Sequence, residues 1–211
     1  MNSYHKEQTE TLTMVKRHLE NLPESERQTL TASAADYLMF RQAVDGFLNT
    51  HFSDVCTQTC YQNRLSACCS REGIITFFAD IVVNLLVSAH ADFNKLLAVL
   101  SKPNNGFKCV YLAEEGCLWR LKPIVCQMYL CDKSKDQVFG KNPELKNQWE
   151  KLEAKRKLFT WPDQPVLFDD LESYFMKTGC RSPLMYLHNS PGLLRVKQRA
   201  GAGIKISKKN L

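Results

Sequence analysis

The sequence predicts a mainly α protein, a single helical domain in which two Cys-bearing loops form a metal site. Apolar residues recur at helical spacing in several long segments, strand patterns are scarce, and eight of the nine cysteines lie between Cys56 and Cys131. A chain of 211 residues, 44% of them hydrophobic, suits one compact domain. That length buries a sufficient core without cross-links, so the cysteines need another reason for their clustering.

Two helices are expected in the first quarter of the chain. Leu12, Val15, Leu19 and Leu22 recur at helical spacing and predict a helix over about 4–20. Pro23 fits the first turn of a helix, so a second helix is predicted from there to about Asn49. Its apolar stripe is expected to face the core and consists of Leu30, Ala34, Leu38, Arg41, Val44 and Leu48.

Further helices are predicted on both sides of a short loop at 102–106. The segment 74–89 is apolar almost all round and should be buried, with Asp80 capping it, pairing inside the domain or contacting the metal-bearing loop. Helices are also expected over 143–159 and 168–176. The best candidate for a strand is 108–112.

The chain is interpreted as four regions. These are an N-terminal helical region (1–51), a cysteine-cluster metal-binding core (52–131), a C-terminal helical region of the same domain (132–194) and a basic tail (195–211). The net charge of +6 belongs to the tail, because its six Lys and Arg face no acidic residue there. The tail is expected to be solvated, and binding of an acidic partner or nucleic acid through it stays open.

A cytoplasmic location without membrane contact is predicted. The first eight residues are polar and lack the apolar run of a secretory signal. The most apolar stretch, 74–87, is interrupted by Asp80 and Asn84 and is too short for a membrane span of about 20 residues. Disulfides are rare in a reducing cytosol, so clustered cysteines there favour metal binding or catalysis.

Two groups of cysteines carry the predicted chemistry. The metal-ligand candidates are Cys56, Cys60, Cys68 and Cys69 in the first group and Cys109, Cys117, Cys126 and Cys131 in the second. Thiolates are soft donors that select zinc, copper(I) or iron–sulfur clusters. A zinc site or a cluster uses about four ligands, so eight thiols suffice for one centre or two. Since no Cys-x2-Cys pair occurs, neither a zinc ribbon nor a thioredoxin-type redox pair fits.

The cysteine order resembles the YkgJ-type cysteine-cluster family, described as zinc- or iron-chelating domains. Here a doublet, Cys68-Cys69, precedes an apolar helix. Then come Cys109-Val110-Tyr111-Leu112 and the block Gly116-Cys117-Leu118-Trp119-Arg120-Leu121-Lys122-Pro123-Ile124-Val125-Cys126-Gln127-Met128-Tyr129. Seven residues separate Cys60 from the doublet where the family has two. The resemblance covers about 52–131 and implies a zinc or iron–sulfur centre as the cofactor.

Roles are also predicted for several residues outside the eight ligand candidates. Arg120 and Lys122 are expected to offset thiolate charge, and Pro123 to shape the turn that brings Cys126 towards Cys117. His51 is a weaker ligand candidate, and Cys180 is expected to be a packed or free thiol.

Two functions of other classes stay open besides simple chelation. One is a metal- or cluster-dependent modifying enzyme, such as a methylase, and the other is a zinc-stabilised interaction module that uses the basic tail. The pattern does not fix the metal, the number of centres, which of Cys68 and Cys69 ligates, or the oligomeric state.

Overall fold

The computed structural model describes residues 3–66, 68–71, 74–160 and 165–186, and helices dominate them, which confirms the mainly α class. The α-helices in these residues are α1 (Ser3–Asn21), α2 (Glu24–Ser33), α3 (Ala35–His51), α4 (Phe78–Val87), α5 (His90–Leu100), α6 (Ile124–Gln127), α7 (Asp132–Phe139), α8 (Pro143–Thr160) and α9 (Leu167–Lys177). A π-helix covers Ser53–Tyr61, and two short strands, β1 (Leu112–Ala113) and β2 (Gly116–Cys117), form an antiparallel hairpin.

The second predicted helix is divided into α2 and α3 at Ala34. The φ and ψ of Ala34 are −92° and 0°, which interrupts the helical conformation. Just before it, the Ser33 hydroxyl donates to the Leu30 carbonyl at 2.7 Å, and the Thr31 hydroxyl donates to the Arg27 carbonyl at 2.9 Å. Such hydroxyl bonds compete with the backbone hydrogen bonds of a helix and often bend it. The break is therefore linked to Ser and Thr residues, which do not alter the spacing of the apolar residues.

The buried apolar segment forms α4, which begins at Phe78, four residues later than predicted. The carboxylate of Asp80 accepts a hydrogen bond from the backbone N–H of Phe77 at 3.0 Å, so Asp80 caps the helix as expected. Every residue from Phe78 to Leu85 is buried. The helix packs between α1 and α9, and the rings of Phe78 and Phe175 lie 5.2 Å apart. Helix α4 is therefore the centre of the core.

Aromatic rings join α3 to the C-terminal helices. Phe40 stacks on Phe159 of α8 with a centroid distance of 5.4 Å, and Tyr37 lies 5.3 Å from the same ring. Tyr37 also makes an edge contact with Phe168 of α9 at 5.5 Å. Both α3 residues are fully buried. This cluster fixes α3, the helix that carries Arg41, against the rest of the protein.

Replacement of Phe40 by Ala is expected to lower the free energy of unfolding by about 3–5 kcal/mol, because it removes a fully buried ring and leaves a cavity. The matched control is Met39→Ala on the neighbouring residue, whose side chain is 59% exposed, and its effect should stay within about 0.5 kcal/mol. Urea unfolding of both variants measures the difference. Equal losses for the two variants would contradict this description of the core.

Several predictions for the middle of the chain were wrong. The first cysteine pair lies on a π-helix rather than a loop, and the predicted strand 108–112 contributes only its last residue to β1. Helices α5, α6 and α7 were not predicted. The predicted tail, 195–211, and the segment 161–164 lie outside the described residues. No helix in the described part of the chain has both the length and the apolar character that crossing a membrane requires.

Candidate metal centre

The first cysteine group lies on the π-helix and the reversal that follows it. Cys56 and Cys60 lie on this helix, and Cys68 and Cys69 follow after the turn. The turn contains two non-glycine residues in left-handed conformations, Arg64 with φ 58° and Ser66 with φ 36°. Both conformations are uncommon for residues with side chains, and π-helical turns occur frequently at functional sites. The chain is thus folded back so that the doublet returns towards the first pair.

Backbone hydrogen bonds join the two cysteine groups. The N–H of Cys109 donates to the carbonyl of Cys69 at 3.0 Å, and the N–H of Arg71 donates to the carbonyl of Phe107 at 2.8 Å. An antiparallel bridge between Ser70 and Lys108 lies between these two bonds. The doublet and the start of the second group therefore lie side by side, although about 40 residues separate them in sequence.

The hairpin β1–β2 places Cys117 and ties the second group to the core. Cys117 is paired with Leu112 across the hairpin, and Gly116 before it has a φ of 116°, which disfavours any side chain. Tyr111, 1% exposed, donates its hydroxyl to Gln8 of α1 at 3.2 Å, and its ring lies 5.4 Å from Trp119. The hairpin is consequently fixed to α1 rather than projecting into solvent.

The remaining two cysteines flank the short helix α6. Pro123 immediately precedes this helix and Cys126 lies on it. Cys131 immediately precedes α7. Both thiols are partly buried.

The eight predicted thiols interact electrostatically with one another. Burial, followed by the charges of Cys68, Cys131 and Cys60, raises the pKa of Cys56 to about 11. Burial, followed by the charges of Cys117 and Cys126, raises the pKa of Cys109 to about 11. The pKa of Cys126 is raised by burial and also by Cys117, Asp80 and Cys68. Thiols of the two groups therefore lie within electrostatic range of one another.

The adjacent cysteines of the doublet have opposite shifts. A hydrogen bond between their side chains is the largest cause of both, raising the pKa of Cys68 and lowering the pKa of Cys69. Cys69 also senses the charges of Cys109 and Cys117. Its neighbours belong to the second cysteine group.

Lys122 supplies positive charge to the thiol region. Its ammonium lowers the pKa of four thiols, whereas burial raises the pKa of each of them. The four are Cys56, Cys68, Cys69 and Cys117. Lys122 is exposed, but its backbone carbonyl accepts a hydrogen bond from the buried Arg41 guanidinium. The backbone of Lys122 is therefore held in place, while its side chain remains exposed to solvent.

A closed metal site is absent from the described residues, where no three His, Cys, Asp or Glu side chains are placed so that they could hold one ion. A zinc–sulfur bond is about 2.3 Å long, so ligands must converge far more closely than electrostatic range requires. Thiols with raised pKa values keep their protons at neutral pH and have no ionic attraction to a common point. The donor chemistry fits a soft metal, whereas the closed ligand geometry is not present.

His51 and Cys180 lie outside this thiol region. The ring of His51 packs against Phe47 with a centroid distance of 4.8 Å. Cys180 is partly buried, with its sulfur 3.9 Å from His18 Nδ1 and 3.7 Å from the Thr178 hydroxyl. Cys180 is thus the packed thiol that the sequence predicted.

Sequence reasoning missed the buried polar side chains behind the thiol loop. Arg41 was assigned to an apolar stripe, and Asn84 was noted only as an interruption, yet both are at most 1% exposed and bond to residues 121–127. Asp80 was expected to cap or to contact the loop, and it does both. Burial raises the pKa of Asp80 to about 6, while its two backbone amides and Arg41 oppose the rise. The presence of an arginine within an apolar stripe was the sequence feature that could have indicated a buried polar contact.

The fold and these contacts define a mainly helical protein with a thiol-rich segment anchored to its core. Comparison of the chain with protein-family models, with curated proteins and with solved structures gives no match. The resemblance to the YkgJ-type family therefore rests on the quoted residues and stays a prediction.

Proposed function

We propose that the chain is a cytoplasmic metal-binding protein whose clustered cysteine thiolates hold zinc or an iron–sulfur cluster. The observation that carries this proposal is the meeting of the two cysteine groups. The Cys109 N–H donates a hydrogen bond to the Cys69 carbonyl, and thiols of one group shift the pKa values of thiols in the other. Thiols that merely fill a core are dispersed among apolar side chains. Here none of the eight is fully buried, and they affect one another.

The chemistry of the donors selects the class of metal. Thiolate sulfur favours zinc, copper(I) and iron–sulfur centres over magnesium or calcium. Burial is the main cause of the raised pKa values of Cys56 and Cys109, and the charges of neighbouring cysteines add to it. Metal binding would replace the protons on these thiols by a cation, which offsets both the cost of burying a thiolate and the repulsion between neighbouring thiolates. The Lys122 ammonium would then offset part of the negative charge that four thiolates leave on a divalent ion. The ligand set closes, in this proposal, when the metal supplies that attraction.

Anaerobic purification followed by elemental analysis and an absorption spectrum tests the proposal. We expect zinc or iron at a whole-number ratio to protein. A colourless solution would indicate zinc and a brown one an iron–sulfur cluster. Reconstitution of the metal-free chain with zinc, or with iron and sulfide, should restore the same ratio. Protein that stays metal-free after purification and after both reconstitutions would overturn the proposal.

Metal binding should become tighter as pH rises from 6 to 8. The pKa values of Cys56 and Cys109 are about 11, so these thiols are protonated over this range and each must lose its proton to become a ligand. The apparent affinity should rise about tenfold per pH unit for each proton released, and a four-thiol site should release about four. Calorimetry in two buffers of different ionisation enthalpy counts these protons. Binding that releases less than one proton would contradict thiol ligation.

A further inference from the structure

Three buried polar side chains hold the loop that joins Cys117 to Cys126. The side-chain oxygen of Asn84 accepts the N–H of Leu121 at 2.8 Å. The carboxylate of Asp80 accepts the N–H of Ile124 at 3.0 Å. The guanidinium of Arg41 donates to the carbonyl of Lys122. Three peptide groups between residues 120 and 124 are therefore fixed by side chains from the helical core.

Arg41 also reaches the helix that carries Cys126. Its Nε donates to the side-chain oxygen of Gln127, whose amide nitrogen donates in turn to Asp45 of α3. Its third nitrogen donates to the Tyr37 hydroxyl at 2.8 Å. The guanidinium thus satisfies acceptors on both α3 and the loop. This arrangement locks α6 against α3.

The burial of these groups makes the loop contacts specific. Asn84, Arg41 and Asp80 are 0%, 1% and 2% exposed. A buried polar group costs free energy unless it is hydrogen-bonded, so a core that needed only volume would use apolar residues here. The Nδ2 of Asn84 has no hydrogen-bond partner within the described residues, so the bond from the Leu121 N–H to Oδ1 is the side-chain hydrogen bond that Asn84 makes there.

We infer that Asn84, Asp80 and Arg41 are positioning residues that set the place of Cys126 relative to Cys117. The consequence for metal affinity rests on the proposed function. The three residues touch the loop between the thiols and not the sulfurs, so they act through the backbone. Replacing groups that hydrogen-bond directly to metal ligands changes metal affinity by about 10–100-fold, and we expect an effect at the lower end of this range for residues that act through the backbone.

The test compares Asn84→Leu with Val83→Ala on the same helix. Asn84→Leu keeps the size of the side chain and removes both the loop bond and an unpartnered buried amide, so the fold should be retained. Val83→Ala truncates a fully buried neighbour and leaves the loop bonds intact. We expect zinc affinity, measured by competition with a chromophoric chelator, to fall at least tenfold in Asn84→Leu and less than twofold in Val83→Ala.

The rate of cysteine alkylation by iodoacetamide, measured on the metal-free proteins, is a second test that does not require zinc. In Asn84→Leu, Cys117 and Cys126 should react several times faster than in the wild type, with Cys180 as an unchanged internal reference. Wild-type protein that binds zinc while Asn84→Leu retains the same affinity would overturn the inference alone. Wild-type protein that takes up no metal would overturn the proposed function, and unchanged alkylation rates in Asn84→Leu would then overturn the positioning role too.

Discussion

Replacing Cys117 and Cys126 together with serine is expected to remove at least nine-tenths of the bound metal. The two thiols lie on different elements, β2 and α6, and the charge of Cys117 raises the pKa of Cys126. A serine hydroxyl is a hard and weakly acidic donor, so it does not replace a thiolate on zinc or iron. A centre that loses two of about four ligands cannot remain closed.

The matched control for this double variant is Cys180→Ser. Cys180 is also partly buried, but it contacts His18 and Thr178 rather than the thiol region, so its replacement should leave the metal content unchanged. Elemental analysis of anaerobically purified proteins measures both. Full occupancy in the double variant would remove these two cysteines from the proposed ligand set. Equal losses in the control would show a general effect on folding instead.

Replacement of Arg41 by methionine is expected to lower the free energy of unfolding by about 3–5 kcal/mol. The guanidinium is 1% exposed and donates to Tyr37, Gln127 and Lys122, so its loss leaves three acceptors without their donor. It also removes a positive charge that lowers the pKa of the buried Asp80 carboxylate. Methionine fills much of the volume, which confines the loss to polar interactions.

Arg120→Met serves as the control because Arg120 is exposed on the same loop. Its effect on the free energy of unfolding should be within about 0.5 kcal/mol. Urea unfolding at neutral pH, with the same metal loading for all proteins, measures both variants. A loss below about 1 kcal/mol for Arg41→Met would contradict the structural role of the guanidinium.

Helices with regular apolar spacing could be predicted from the sequence, whereas irregular ones could not. Helices α1, α8 and α9 lie within a few residues of their predicted positions, because a 3.6-residue period is a local property of the chain. The break at Ala34 could not be predicted in this way, because no glycine or proline lies at or next to it. The π-helix over the first cysteine pair depends on wider hydrogen bonding that side-chain spacing does not show.

The cysteines themselves were the predictable part of the candidate centre. Eight thiols within one stretch suggested convergence, and the fold brings their two groups together through the Cys69–Cys109 contact. The residues that hold the second cysteine group in place were harder to predict from the sequence. Arg41 precedes its loop acceptor by 81 residues, and such long-range pairing leaves no local pattern in a single sequence. Asp80 and Asn84 were visible only as polar residues in an apolar helix.

X-ray absorption spectroscopy at the edge of the bound metal, on anaerobically purified wild-type protein, is the direct test of thiolate ligation. The technique counts the atoms around the ion and identifies their element. We expect the atoms bound to the metal to be sulfur, at about 2.3 Å for zinc, with four ligands per metal. A first shell made of oxygen and nitrogen would contradict it, because the metal would then be bound away from the cysteines.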